Sequence, residues 1–141
     1  MSQIETESNG TQIWKEKGLL HRDDGPAIID SDGNQLWYKR GQLHREDGPA
    51  VVKANGAEYW YIHDRIHRVD GPAVIIPEHC QEWYYDGYLS REDGPAYEGY
   101  NGDVEWWIDD KQIYDRTTYQ NLTNISDDDL TIMILKYGDV R

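Results

Sequence analysis

The motif His-Arg-x-Asp-Gly-Pro-Ala returns with an unvarying step of 23 residues. It begins at His21, His44 and His67, and a fourth copy begins at Ser90. Trp14, Trp37, Trp60, Trp83 and Trp106 keep the same register. Four repeats without an inserted residue describe one supersecondary unit copied along the chain, and therefore a stack. Copying also weighs against catalysis. A His, an Arg and an Asp within a few residues resemble acid–base equipment, but near-identical copies would mean four active sites. The expectation is a non-enzyme that uses no cofactor and no metal.

The second copy shows how the unit reads. Gln35-Leu36-Trp37-Tyr38-Lys39 is aromatic-rich and predicts a strand. Arg40-Gly41 is a turn, Gln42-Leu43-His44 returns briefly, and Arg45-Glu46-Asp47-Gly48-Pro49 is a loop punctuated by Asp-Gly and Gly-Pro. Ala50-Val51-Val52-Lys53 predicts a second strand, and Asn55-Gly56 is a hairpin turn signal, as are Asp32-Gly33 and Asn101-Gly102. Each copy is thus a β-hairpin, and hairpins pairing edge to edge advance a sheet by roughly 10 Å per copy.

Alternation across a strand places Trp14, Trp37, Trp60, Trp83 and Trp106 in one row. Lys15, Tyr38, Tyr61, Tyr84 and Trp107 fall on the opposite face. These aromatics are expected to be the core of a thin sheet. In the loops, Asp24, Asp47, Asp70 and Asp93 are expected to bond their local backbone. Gly25, Gly48, Gly71 and Gly94 are expected to take positive φ, with the following prolines starting the next strand. His21, His44 and His67 are expected to tie one copy's loop to the next.

The period changes after Tyr114. Ser126-Asp127-Asp128-Asp129 is a helix-start signal, followed by Leu130, Ile132, Met133, Ile134, Leu135 and Tyr137, with Gly138 to close it. Such a helix, over about 127–137, would cover the last rung or one face of the sheet. The organisation expected is a flexible segment 1–9, a repeat domain 10–115 of about four and a half copies, and a capping segment 116–141. The fold class is mainly all-β: an elongated single antiparallel sheet with a C-terminal helix as its cap. A dimer through that helix or through a free strand edge is compatible with this reading.

Charge narrows the partners. The net charge is −13, and residues 78–115 hold eleven acids and two basic residues. A chain this acidic is not expected to grip a phosphate backbone, and it should attract a protein with a basic surface. Cys80 is the only cysteine, so no internal disulfide forms, which fits a reducing compartment. No apolar run approaches the roughly 20 residues of a membrane span. The first residues lack a signal-type apolar stretch, and the expectation is a cytoplasmic protein without membrane contact.

The 23-residue step, the Trp followed by a Gly turn, the His ahead of a Gly and the closing Asn/Asp-Gly resemble MORN-type repeats over roughly residues 10–113. The family's shorter His-Gly-x-Gly segment is replaced here by His-Arg-x-Asp-Gly-Pro-Ala. That variant is similar to repeat proteins of large phages and other large DNA viruses. The resemblance implies an elongated hairpin sheet with a binding or scaffolding role, and, if viral, a host protein as partner, such as a component of a defence system. Two other classes stay open on the residues. One is an acidic nucleic-acid mimic that blocks a DNA- or RNA-binding protein. The other is a sponge for a small nucleotide signal, using Arg22, Arg45, Arg68 and Arg91 with stacking aromatics. The acidic stretch also departs from the repeat consensus. Tyr85, Asp86, Tyr88, Glu92, Asp93, Asp109 and Asp110 are therefore the candidate partner-binding residues, the tyrosines as anchors and the acids as steering charge.

Overall fold

A computed structural model describes residues 1–140. Its architecture is mainly antiparallel β, with two helices at the C-terminal end and no closed barrel. A twelve-stranded sheet runs the length of the stack. It starts at Gln3–Thr6 and Gln12–Glu16 and ends at Val104–Ile108 and Lys111–Ile113, with each copy adding two strands. Ile28 pairs with Leu36, Leu36 with Val51 and Val51 with Tyr59, so neighbouring copies join in one continuous register.

The chain does not stay in this sheet through each aromatic segment. The stretch 35–39 divides into Gln35–Leu36, in the main sheet, and Tyr38–Lys39, which pairs with Gln42–Leu43 as a separate small hairpin. The same division gives Tyr61–Ile62 with Arg65–Ile66, and Tyr84–Tyr85 with Tyr88–Leu89. The pivot is the Trp. Trp37 N–H donates to Ala50 O, and Trp37 O accepts from His44 N–H. One residue thus ends one ladder and opens the other. Ala27, Ala50, Ala73 and Ala96 pack at these elbows with no exposure at all. The small hairpins close through two residues of positive φ, Arg40-Gly41, His63-Asp64 and Asp86-Gly87, and Asp109-Asp110 turns the last rung in the same way. That backbone twist matches a two-residue hairpin.

One expectation about the N-terminal end is corrected, while the helix expected over 127–137 forms as Asp127–Tyr137 with a second helix ahead of it. The segment 1–9, expected to be flexible, contains a strand. Gln3–Thr6 pairs with Gln12–Glu16 as the outermost strand, with Ile4 opposite Trp14, because the N-terminal part-copy supplies the same hairpin signal at Asn9-Gly10. The C-terminal segment holds two helices, α1 (Arg116–Thr123) and α2 (Asp127–Tyr137). Asp115 caps α1 by accepting from Thr118 N–H, and Ser126 caps α2 by accepting from Asp129 N–H. Helix α1 escapes a reading by periodicity because its sequence is polar and rich in Thr, and only Tyr119 is buried. The main apolar core sits here: Trp106, Ile108 and Ile113 of the last rung pack with Tyr119, Leu130, Met133 and Val140.

Candidate functional site

The loops assign each repeated polar residue a place. The guanidinium of Arg22 lies 4.0 Å over the ring of Trp14, and Arg45, Arg68 and Arg91 lie 4.1, 4.0 and 3.9 Å over Trp37, Trp60 and Trp83. Each Arg donates from Nε to the Asp two residues on, and from Nη1 to the proline carbonyl four residues on. Asp24, Asp47, Asp70 and Asp93 therefore serve the arginine first, which corrects the expectation of a backbone-bonded turn. The Arg bond holds the carboxyls of Asp24, Asp47 and Asp70 below their usual range.

The motif glycine is corrected as well. Gly48 does not have positive φ. A Cβ built there would meet the Arg45 guanidinium carbon at 2.9 Å, and the three equivalent glycines show the same close approach. Glycine leaves room for the guanidinium, which sits between the Trp ring and the loop backbone.

The histidines link copies. His21 Nδ1 accepts from Arg40 N–H at 3.0 Å, His44 Nδ1 from His63 N–H at 3.2 Å and His67 Nδ1 from Asp86 N–H at 2.8 Å. In a neutral ring this places the proton on Nε2. That assignment also bears on the one cluster with ligand-type atoms among the described residues, Glu16, His21 and Asp23. His21 Nε2 lies 3.4 Å from Glu16 and 3.1 Å from Asp23, and it donates to these carboxylates, with no lone pair left for a cation. Cys80 is buried, and burial with Glu82 nearby pushes its thiol up, away from nucleophilic use.

Between successive copies lies a groove with a recurring floor. The first is lined by Trp37, Lys39 and His44, the second by Trp60, Ile62 and His67, and the third by Trp83, Tyr85 and Ser90. The same positions at the last rung are Trp106, Ile108 and Ile113, and there the helices bury them. Apolar character thus rises toward the C-terminal end. The third groove, of roughly 560 Å³, differs in its wall too. Asp23, Glu46 and Glu92 occupy one loop position in the other copies, and Val69 takes it here, 81% exposed. Tyr85, 58% exposed, stands across the same groove with its ring 4.7 Å from that of His67. Tyr84, beside it, has its phenol pushed up to about 12, chiefly by burial and then by Glu82.

The seven candidate residues divide between two places. Tyr85, Glu92, Asp93 and Asp109 line the third groove. Asp86, Tyr88 and Asp110 sit at hairpin tips outside it. Several have internal work. Asp86 pairs with Arg65 at 2.9 Å, Asp93 with Arg91 at 2.8 Å, and Asp110 accepts from Leu89 N–H at 2.6 Å. Asp109 receives a 3.4 Å bond from Ser90 Oγ. Glu92 makes no hydrogen bond or ion pair among the described residues, although its charge is felt by Tyr119. Val69 was not among the candidates, although aligning the four copies exposes it as the single apolar residue in an acidic column.

No helix among the described residues is long and apolar enough to cross a membrane. Comparison with known proteins finds no matching family model, no matching curated protein and no matching solved structure.

Proposed function

We propose that this chain is a non-enzymatic binding module that docks a protein with a basic surface in the groove between its third and fourth copies. The observation that carries the reading is Val69 facing Tyr85 across an open groove with acids on its rim. Exposed apolar side chains grouped beside a polar rim are the usual form of an interaction patch. Tyr85 offers a large anchor, and Glu92 with the wider acidic stretch supplies attraction to a basic partner.

The same geometry weakens the competing readings. A nucleotide sponge needs free guanidinium faces, and each Arg here has a Trp on one face and the glycine backbone on the other. A phosphate mimic needs unpaired acids at regular spacing, and the regular ones each pair with an arginine. For catalysis, the repeated histidines have Nδ1 engaged by backbone N–H groups. The resemblance to MORN-type repeats favours binding too, and a viral origin would make the partner a host protein met in the cytoplasm.

A photo-crosslinking side chain at position 85, and in parallel at position 39 in the first groove, tests this in cells. The expected result is a discrete protein adduct from position 85 that disappears with Val69→Asp. Equal adducts from both positions, or adducts to nucleic acid, would overturn the reading.

A further inference from the structure

We infer that the third groove receives a short basic amphipathic α-helix that presents a tyrosine, seated as this chain's own helices are seated one copy further on. The inference rests on the docking reading above and specifies the form of the partner. The last rung supplies the template. Trp106, Ile108 and Ile113 correspond by the 23-residue step to Trp83, Tyr85 and Ser90, and α1 with α2 covers them. Tyr119 meets Trp106 edge-on at 4.9 Å. Its hydroxyl donates to Arg91 O at 3.0 Å and approaches Gly94 O at 3.4 Å. Arg91 Nη2 donates to Tyr137 Oη at 3.1 Å.

One copy earlier Arg91 already lies over one face of Trp83, and the matching polar groups are left to solvent. Arg68 uses Nε on Asp70 and Nη1 on Pro72 O, and its Nη2 has no acceptor among the described residues. The carbonyls of Arg68 and Gly71, equivalent to those that Tyr119 uses, have no donor among those residues either. The third groove thus repeats the polar pattern of an occupied helix seat, and Val69 and Tyr85 add apolar area to it. An extended strand would find no ladder to pair with there. Arg68 N–H already donates to Tyr84 O, and Gly87 N–H to Ile66 O, and the open carbonyls of Arg68 and Gly71 are isolated acceptors in a loop that forms no ladder. Recognition must proceed through side chains, which suits a helix. The chain's own α2 makes a poor second occupant from another copy, because Asp127, Asp128 and Asp129 would meet the acidic rim. A lysine-bearing helix has the complementary sign.

The probe is a synthetic 18-residue helix of Lys, Leu, Ala and Tyr, with Leu and Tyr at helical spacing and Lys elsewhere. Two controls accompany it: the same composition with two central prolines, and the same helix with Glu in place of Lys. Binding to the full chain is read by fluorescence anisotropy. The expected result is saturable one-to-one binding of the basic helix. Val69→Asp and Tyr85→Ala should each weaken it at least tenfold, and Leu19→Asp at the other end should leave it unchanged. Val69 and Tyr85 are exposed, so both variants should keep the thermal midpoint of the parent, which the same samples report. Binding indifferent to Val69→Asp and Tyr85→Ala, or no binding, would overturn the inference. If the proline-broken peptide binds equally well with the same groove dependence, the helical form is refuted while docking in the groove survives. Loss of the position-85 crosslink's dependence on Val69 would instead refute the docking reading itself.

Discussion

The junction between the third and fourth copies and the junction between the fourth copy and the last rung are built from the same unit, yet one is open and the other filled. At the open junction Trp83 is covered on one face by Arg91. At the filled junction the register would place an arginine at position 114, where the chain has Tyr114. Trp106 is covered instead by Tyr119, edge-on, and by Tyr137 further out. The unit therefore requires a cover on its tryptophan and accepts either a planar cation from its own loop or an aromatic from a helix. The difference lies in what each cover brings. The guanidinium comes with an exposed Asp partner and keeps the surface wet, while Tyr119 brings a helix and an apolar core with it.

Removing the cover at the filled junction should have the largest effect. Tyr119→Ala should cost about 3–5 kcal/mol, as expected for truncating a fully buried aromatic. It is read from the urea midpoint, together with loss of helical circular dichroism. A small loss with intact helices would show that α1 and α2 do not depend on Trp106. At an open junction the equivalent disturbance is Gly48→Ala, whose Cβ would press on the Arg45 guanidinium at 2.9 Å. The expected loss is about 1–3 kcal/mol. Arg45→Ala in the same chain should recover part of it, so the two substitutions combine to less than their sum. Additive losses would mean that the glycine is required for another reason.

A smaller effect concerns the links between copies. His44→Ala should leave His63 N–H without its acceptor and cost about 1 kcal/mol, because solvent reaches that exposed turn. A double cycle with a neighbouring copy, His67→Ala, measures whether the links act independently. The smallest effect is on pH dependence. Asp24, Asp47 and Asp70 are held below the usual carboxyl range by their arginines, so the folded chain binds fewer protons there than the unfolded one. Their contribution is complete above the ordinary value of about 3.9 and fades as pH falls through the lower folded values. Changing the three to Asn should flatten the acid limb of stability against pH. An unchanged limb would mean that these exposed pairs are fully screened.

How much was legible follows from where each cause lies. The period, the Trp register and the hairpin turns are local and repeated, so residues such as Trp37, Arg40-Gly41 and Asn55-Gly56 announce the sheet directly. Ser126 and the acids after it announce α2 by capping chemistry alone. The role of Gly48 was hidden because it depends on Arg45 folding back over Trp37, eight residues earlier, a path that no local pattern records. The split of each strand at its Trp was hidden for a similar reason: the pivot is set by Ala50 and His44 across the unit. The candidate site was half legible. Charge and aromatic departures led to Tyr85 and Glu92, which line the third groove, while a count of acids also drew in Asp86 and Asp110, which serve the hairpins internally.

The histidine links give the array a direction and a grain. Each acceptor nitrogen lies in one copy and its donor lies 19 residues later in the next, so every such bond is between adjacent copies and none skips one. Excising Asp24 through Glu46 would join His21-Arg22-Asp23 to Asp47-Gly48-Pro49-Ala50, restoring the motif and offering His21 to the turn at His63. The register therefore predicts that a chain shortened or lengthened by whole copies at its polar end keeps these links. The groove beside Val69 and the helical cap next to it would be carried along unaltered. Length and the groove beside Val69 are separable quantities in this molecule, one set by the number of copies and the other by the third and fourth.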